Sequence, residues 1–277
     1  NPSPSSRAKC ERCPMESRGL GKQRIIAVLL LACAVVLVAG AVWWTSRPST
    51  SQSQAMASAS AMPTQQAQES TAAPQQTQAS YAPTVTDQQG LDIIHSQQRR
   101  DANDARAKGS INAPVVMVLY SDFSCPYCTR FAKQVEPQLQ DLVDNGTLRI
   151  EWRDLAQISQ SSPLAAQAGI AAANQGRFWE FVSAAYGEAD PSGHPEYTMD
   201  NLTALAQKAG VPDISRFQAD TNDPETAAEV KQAQNDAYKI GIQGTPFMFI
   251  GDSFISGFRD ADYVRATIQN QAEHLKK

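Results

Sequence analysis

The feature that most constrains this 277-residue sequence is a pair of cysteines, Cys125 and Cys128, separated by proline and tyrosine. An apolar run at residues 115–120 precedes the pair, and an amphipathic segment at residues 129–143 follows it. This order predicts a strand that leads directly into a helix. The two cysteines then lie at positions i and i+3 of the first helical turn, on one side and close enough to form a disulfide.

The helix start predicts different roles for the two sulfurs. Backbone N–H groups at a helix N-terminus have no intrahelical acceptor, so they and the helix dipole stabilise a thiolate on Cys125. Cys125 is therefore predicted to be the exposed, attacking residue, and the deeper Cys128 to be the resolving residue. Pro126 suits the first helical position because its missing N–H would be unpaired there. Tyr127 lies between the cysteines, where it can tune their reactivity.

Two other interpretations of a Cys-x-x-Cys pair are a zinc site and an inert structural disulfide. Zinc requires two more soft ligands, and the sequence after Cys128 contains no further cysteine and only two histidines, His194 and His274. A structural disulfide across so short a loop would constrain the unfolded chain very little. The spacing therefore favours a redox-active pair that works without a metal or another cofactor.

A second motif, far downstream, combines a proline with a short apolar run. Gly244, Thr245 and Pro246 directly precede the run at residues 247–250, which predicts a strand that is entered through a proline. Such a proline cannot donate to a strand ladder, so it belongs on a sheet edge or in a turn, where a cis peptide bond is one option.

Three motifs together resemble the bacterial DsbA-like thiol:disulfide oxidoreductases of the thioredoxin superfamily. They are Phe-Ser-Cys-Pro-Tyr-Cys at residues 123–128, Phe-Trp-Glu-Phe at 178–181 and Gly-Ile-Gln-Gly-Thr-Pro-Phe-Met-Phe-Ile-Gly at 241–251. The resemblance, which covers residues 99–272, implies a thioredoxin fold and a cis Thr245–Pro246 peptide against the active-site sulfurs. It also implies that this peptide binds an extended substrate segment and that a membrane quinone-linked partner reoxidises the cysteines.

The N-terminal part of the sequence predicts membrane attachment. Residues 1–24 are basic, and Met15 within them is a candidate start of translation. Residues 25–44 contain no charged residue and are long enough to cross a ~30 Å hydrocarbon core as a helix. Because basic residues precede this span, the N-terminus is predicted to be cytoplasmic and the rest of the chain extracytoplasmic. A cleaved signal peptide is the alternative, and it predicts export as well.

The remaining sequence divides into a tether and one domain. Residues 45–90 consist mainly of Ser, Gln, Ala, Thr and Pro, a composition that predicts a disordered tether. Residues 91–277 are long enough for one cored domain, and they carry 17 Lys plus Arg against 24 Asp plus Glu. This acidic balance argues against binding to nucleic acid or to anionic lipid.

The domain is predicted to be of the α/β class. Four segments have the apolar pattern of strands: residues 115–120, 147–153, 247–250 and 253–256. The first two, joined by a helix, form a right-handed βαβ unit. Helical patterns occupy the interval at about residues 156–238, so the resemblance implies a thioredoxin fold that is interrupted by an inserted helical domain.

Individual side chains near these motifs receive ordinary structural interpretations. Asp122 is predicted to be a solvated carboxylate at a strand end rather than a buried proton acceptor. Glu151, Arg153 and Asp154 are predicted to be surface charges, and the aromatic residues at 178–181 are predicted to pack in the core. The three histidines are scattered among polar residues, and no role is assigned to them.

Taken together, these observations predict a membrane-tethered, exported thiol:disulfide oxidoreductase that oxidises thiols of secreted or envelope proteins. A monomer is expected because only residues 91–114 separate the tether from the first strand, which leaves no room for a folded dimerisation domain. One alternative is a disulfide reductase or isomerase of the same fold, since Cys-Pro-Tyr-Cys also occurs in that branch. Another is a peptide-binding or chaperone module whose disulfide never turns over.

Replacing Tyr127 with histidine is expected to raise the reduction potential of the cysteine pair. A histidine there can donate a hydrogen bond or carry positive charge towards the Cys125 thiolate, whereas tyrosine offers only a neutral hydroxyl. Stabilising the reduced form by about 1.4 kcal/mol raises a two-electron potential by roughly 30 mV. Equilibration with glutathione buffers measures both proteins, and an equal or lower potential in the Tyr127→His variant would contradict the prediction.

Overall fold

The computed structural model describes residues 80–276, which fold around a five-stranded mixed β-sheet. The strands are β1 (Ala107–Lys108), β2 (Val115–Ser121), β3 (Leu148–Asp154), β4 (Phe247–Ile250) and β5 (Ser253–Ser256). Their order across the sheet is β1-β3-β2-β4-β5. Strands β2 and β3 are parallel, and the other neighbouring pairs are antiparallel. The four strand segments expected from the apolar pattern agree with β2, β3, β4 and β5 to within one residue at each end.

The two central strands, β2 and β3, are buried along their whole length. Their register runs from Val115 opposite Leu148 to Ser121 opposite Asp154, so both strands end at the same edge of the sheet. Alternate β2 residues contribute to two separate apolar clusters, one on each face of the sheet. The apolar run in β2 is continuous because both of its faces pack against other elements.

Helices cover the sheet and fill the long connection between β3 and β4. Within the described residues the α-helices are α1 (Gln88–Gln97), α2 (Pro126–Arg130), α3 (Gln140–Asp144), α4 (Ser162–Ala173), α5 (Phe178–Glu188), α6 (Met199–Lys208), α7 (Ile214–Thr221), α8 (Pro224–Lys239) and α9 (Ala261–His274). Helices α4 to α8 lie between β3 and β4. The Thr198 side chain caps α6, and the Asp223 side chain caps α8. Helix α7 is short, and its buried side chains are Phe217 and Thr221.

The segment after the cysteine pair is not the single helix that the pattern over residues 129–143 predicts. Helix α2 passes into a π-helical turn at Phe131–Val135, then into a 3₁₀ turn at Glu136–Leu139, and then into α3. Pro137 accounts for the break, because it lacks an N–H and its ring would clash with the preceding turn of a continuous α-helix. Apolar side chains of both turns nevertheless remain in the main core.

The folded part begins before residue 90, where the composition predicts the end of the tether. Ala82 is buried, and its N–H donates to the Thr267 hydroxyl at 2.9 Å. Helix α1 then starts at Gln88, with the Asp87 side chain as its N-cap. The polar composition of this stretch conceals the contact of Ala82, because its partner lies 185 residues away in the sequence.

The N-terminal features that the sequence predicts fall outside the described residues. They are the basic segment at residues 1–24, the apolar span at 25–44 and the tether up to residue 79. In the part of the chain that the structure describes, no helix is both long enough and apolar enough to cross a membrane.

The aromatic residues of the Phe-Trp-Glu-Phe motif pack in the core, as the sequence predicts. Phe178 and Phe181 are buried, and the partly buried Trp179 packs against the same cluster. The Phe178 ring lies 5.4 Å from the Trp152 ring, and the Phe181 ring lies 5.8 Å from the Phe123 ring, between centroids. Because Phe123 belongs to the turn before the cysteines, this cluster attaches the inserted helices to that turn.

The charged residues of β3 are buried, so the prediction that they lie on the surface is wrong. Glu151 is fully buried, and Arg153 and Asp154 are 7% and 3% exposed. The Glu151 carboxylate accepts hydrogen bonds from Arg149 at 2.9 Å and from Arg153 at 3.0 Å. It also accepts two backbone N–H groups of the segment after α1, each at 2.8 Å. These partners offset the cost of burying the charge. The two arginines lie on the same face of β3 as Glu151, but the two backbone N–H groups come from more than 50 residues earlier, and sequence spacing does not reveal them.

Replacing Glu151 with alanine is expected to lower the free energy of unfolding by about 3–5 kcal/mol, because it leaves two buried guanidinium groups without their carboxylate. The matched control is Glu229→Ala, which removes an ion pair with Arg106 from a side chain that is 49% exposed. That change should cost no more than about 1 kcal/mol. Urea denaturation measures both, and equal losses would show that the Glu151 network does not stabilise the fold.

Candidate active site

The cysteine pair lies where β2 passes into α2, as the sequence predicts. Strand β2 ends at Ser121, and the Cys125 N–H closes a tight turn by donating to the Asp122 carbonyl at 3.0 Å. Cys125 is the N-cap residue of α2, and Pro126 occupies the first turn of that helix. Cys128 follows one turn later, and both cysteines are free thiols.

Both cysteines are buried, so the prediction that Cys125 is exposed is wrong. Cys125 is 2% exposed and Cys128 is 1% exposed, whereas Tyr127 between them is 52% exposed. The Cys125 thiol donates a hydrogen bond to the carbonyl oxygen of Thr245 at 3.3 Å. The loop before β4 therefore covers the sulfur, and spacing within α2 could not have revealed this.

The two sulfurs differ in acidity as the helix-start argument predicts. The hydrogen bond from Cys128, assisted by the backbone N–H groups of Tyr127 and Cys128, lowers the pKa of Cys125 to about 6 from the ordinary value of 9.0. Burial, together with the hydrogen bond to Cys125, raises the pKa of Cys128 well above its ordinary value. At neutral pH the pair therefore holds a thiolate on Cys125 and a protonated thiol on Cys128.

The Thr245–Pro246 peptide is cis, as the resemblance implies. It lies next to the cysteine pair although the two motifs are 120 residues apart. The Pro246 carbonyl accepts the Gly257 N–H at 2.9 Å, which anchors this loop to the end of β5. The hydroxyl oxygen of Thr245 is buried and has no hydrogen-bond partner among residues 80–276.

Asp122 is 2% exposed, so the prediction of a solvated carboxylate is wrong. One carboxylate oxygen accepts the Ser124 N–H and the Ser162 hydroxyl, both at 2.8 Å. The other accepts the backbone N–H groups of Gln157 and Ile158, at 2.7 and 2.8 Å. These four contacts occupy the lone pairs of the carboxylate, so Asp122 holds the active-site turn against the loop after β3.

Three further side chains, which sequence reasoning missed, contact the turn that carries Cys125. The carbonyl oxygens of residues 122, 123 and 124 accept, in that order, the Tyr186 hydroxyl at 3.1 Å, the Tyr197 hydroxyl at 3.1 Å and His194 Nδ1 at 3.2 Å. All three side chains come from the connection between β3 and β4. Their distance along the chain, between 64 and 74 residues, leaves no signal in local spacing.

A buried thiol beside a thiolate at a helix N-terminus, covered by a cis-proline loop, is a centre for thiol–disulfide exchange. Residues 101–270 match the family model Thioredoxin_4, described as thioredoxin, and the chain belongs to this family. Family and site together make it a thiol:disulfide oxidoreductase. Among the described residues, no group of three His, Cys, Asp or Glu side chains is arranged to hold a metal ion.

The proteins similar to the chain include two curated relatives and one crystal structure. Disulfide bond formation protein D of Bacillus subtilis is 26% identical over 188 residues, which cover 66% of this chain and 83% of that protein. Na(+)/H(+) antiporter NhaA 3 of Salinispora tropica is 32% identical over 153 residues, which cover 54% of this chain but only 22% of that protein. Oxidised BdbD from Bacillus subtilis has a similar fold, with a TM-score of 0.57, 24% identity, and coverage of 61% of this chain and 92% of that one.

Alkylation of Cys125 in the reduced protein is expected to follow an ionisation with a midpoint at a pH of about 6. Because its pKa is lowered, the reactive thiolate persists down to that pH and is lost below it. Mass spectrometry of the peptide that contains Cys125 and Cys128, with fragment ions that distinguish the two, separates this label in the parent from that of Cys10, Cys13 and Cys33. A midpoint near the ordinary value of 9.0, or faster labelling of Cys128 than of Cys125, would contradict the assignment.

Proposed function

We propose that this chain is a membrane-tethered, exported oxidase that transfers its Cys125–Cys128 disulfide to thiols of secreted or envelope proteins. The observation that carries the proposal is the lowered pKa of Cys125, to about 6. A thiolate that is stabilised only in the reduced form makes the disulfide easier to reduce, and so a better oxidant. The name of the relative from Bacillus subtilis, disulfide bond formation protein D, supports the same direction.

The size of this effect depends on pH. The shift from 9.0 to about 6 favours the reduced form fully above pH 9, and the benefit is lost as the pH falls through 6. Each tenfold gain in the equilibrium constant is worth about 30 mV, so the contribution is roughly 30 mV at pH 7 and roughly 60 mV at pH 8. An oxidant of this kind acts best in a neutral or mildly alkaline compartment.

The exchange proceeds in two steps. A substrate thiolate attacks the Cys125 sulfur, which forms a mixed disulfide and breaks the Cys125–Cys128 bond, and Cys128 leaves and takes up a proton. The second substrate thiolate then attacks the substrate sulfur of the mixed disulfide, and Cys125 leaves as a thiolate. The low pKa of Cys125 makes it the better leaving group in this second step. Substrate is oxidised by two electrons, and the cysteine pair is reduced by two.

The other site residues support these steps. The backbone of Thr245 and Pro246, next to the Cys125 sulfur, offers hydrogen bonds to an extended substrate segment. Pro126 sets the helix start, and the exposed Tyr127 adjusts the potential. Reoxidation is assigned to a quinone-linked membrane partner, to which the apolar span at residues 25–44 and the tether would hold the domain at high effective concentration.

A trapping experiment tests the proposal. The Cys128→Ser variant, first converted at Cys125 to its mixed disulfide with glutathione, is added to reduced unfolded proteins. A substrate thiolate should displace glutathione from Cys125, and the resulting mixed disulfide is expected to accumulate because no Cys128 thiol can displace the substrate. The Cys125→Ser variant is the matched control and should trap nothing beyond the background of Cys10, Cys13 and Cys33. The oxidised parent should in addition convert reduced hirudin to its disulfide form, mole for mole. A parent that leaves hirudin reduced, or a Cys128→Ser variant that traps no more than the control, would refute the oxidase.

A further inference from the structure

The third contact on the active-site turn differs in kind from the other two. Tyr186 and Tyr197 are buried, and each hydroxyl donates to its carbonyl. His194 is exposed and lies in the connection between α5 and α6. The tyrosines can only hold the backbone, whereas an exposed imidazole can also exchange protons with a bound substrate.

The contact of His194 defines the orientation of its ring. A carbonyl oxygen can only accept, so Nδ1 must carry the hydrogen that it donates to the Ser124 carbonyl at 3.2 Å. In the neutral imidazole, Nε2 is then the atom with the free lone pair. Among residues 80–276, no carboxylate lies within ion-pair distance of His194, and Nε2 has no hydrogen-bond partner.

The ring lies against the peptide bond that joins Ser124 to Cys125. Ser124 and Cys125 share a peptide bond, so an imidazole held on the Ser124 carbonyl lies beside the residue that an incoming thiolate attacks. The Thr245 loop contacts the Cys125 sulfur itself. A substrate that approaches Cys125 therefore meets the Thr245 loop, which offers backbone hydrogen bonds, and His194, which offers an exposed imidazole base.

We propose that Nε2 of His194 is the general base that takes the proton from the substrate thiol as its sulfur attacks Cys125. This step rests on the proposed oxidase function. The substrate S–H bond breaks and its proton passes to Nε2, while a bond forms between the substrate sulfur and the Cys125 sulfur. The Cys125–Cys128 bond breaks, and its electron pair goes to Cys128, which takes up a proton from water. His194 then returns its proton to water, so protons and electrons balance.

The rate gain from such a base is limited by the fraction of the substrate thiol that is already ionised. An ordinary cysteine thiol, with a pKa of about 8.5, is only a few per cent ionised at pH 7. Complete deprotonation on approach can therefore speed the attack by at most roughly 30-fold, at the lower edge of what general bases usually achieve. The gain should vanish for a substrate thiol whose pKa is below 7, because that thiol is already ionised.

Two substitutions in the full chain separate the base from a merely structural hydrogen bond. His194→Asn keeps an N–H group that can reach the Ser124 carbonyl but has no basic nitrogen, and His194→Ala keeps neither. The oxidised proteins are mixed at pH 7 with small thiols of stepwise increasing pKa, and the rate of disulfide reduction is measured. Both variants are expected to react about 10- to 30-fold more slowly with thiols of pKa near 8.5 or above, and as fast as the parent with thiols of pKa below 7. Added imidazole should restore the rate of His194→Ala.

The outcomes distinguish the proposals. If His194→Asn reacts like the parent at every thiol pKa, no base is involved and the inference is overturned, whether or not His194→Ala is slow. If both variants slow all thiols equally, or if the alkylation midpoint of Cys125 shifts with them, His194 only positions the turn and the inference is again overturned. Failure of the oxidase proposal gives a different result, because the parent protein would then leave thiols reduced even at pH 9. In that case the proposed role of His194 would be refuted together with the oxidase function.

Discussion

The hydrogen bond between the two active-site sulfurs is the interaction on which the chemistry of this protein depends. Cys128, buried and protonated, donates to Cys125, and this contact contributes most to the low pKa of the Cys125 thiol. The helix start adds backbone N–H groups to the same sulfur. Because the disulfide form has no thiolate to stabilise, all of this stabilisation belongs to the reduced state and makes the pair oxidising. The fold has to keep the two sulfur atoms within hydrogen-bond distance of each other, and the contacts around the turn and the helix serve to hold them there.

The turn that carries Cys125 is fixed by hydrogen bonds from several segments that are distant in the sequence. Three successive carbonyl oxygens accept hydrogen bonds from side chains of the inserted helices and their loops, and Asp122 accepts four more from the same turn and from the first part of that connection. The aromatic cluster beneath adds apolar contacts, with the Phe123 ring stacked on the Tyr186 ring at 5.5 Å. The helices between β3 and β4 thus act on the reaction by orienting the backbone from which the thiolate projects.

Away from the site, a buried charge network attaches the segment after α1 to the sheet. Glu151 at the centre of β3 satisfies two guanidinium groups and two backbone N–H groups, so its burial is compensated on every side. Apolar and polar residues alternate along β3, which is typical of a strand with one face in water, although both of its faces are covered. The buried charge network explains this difference. The polar residues of β3 point towards other polar residues within the protein rather than towards water.

Local chemistry in the sequence determined the strand, the helix start and the order of the two cysteines, because i and i+3 spacing and the unpaired N–H groups of a first turn act over a few residues. It also determined the four main strands. Only the tertiary structure decided that Cys125 is buried under Thr245, that Asp122 and Glu151 lie in the interior, and that His194 reaches the active-site turn. Many of the hydrogen-bond partners that decide burial lie on segments 35 to 120 residues away, and periodicity within one element carries no information about them.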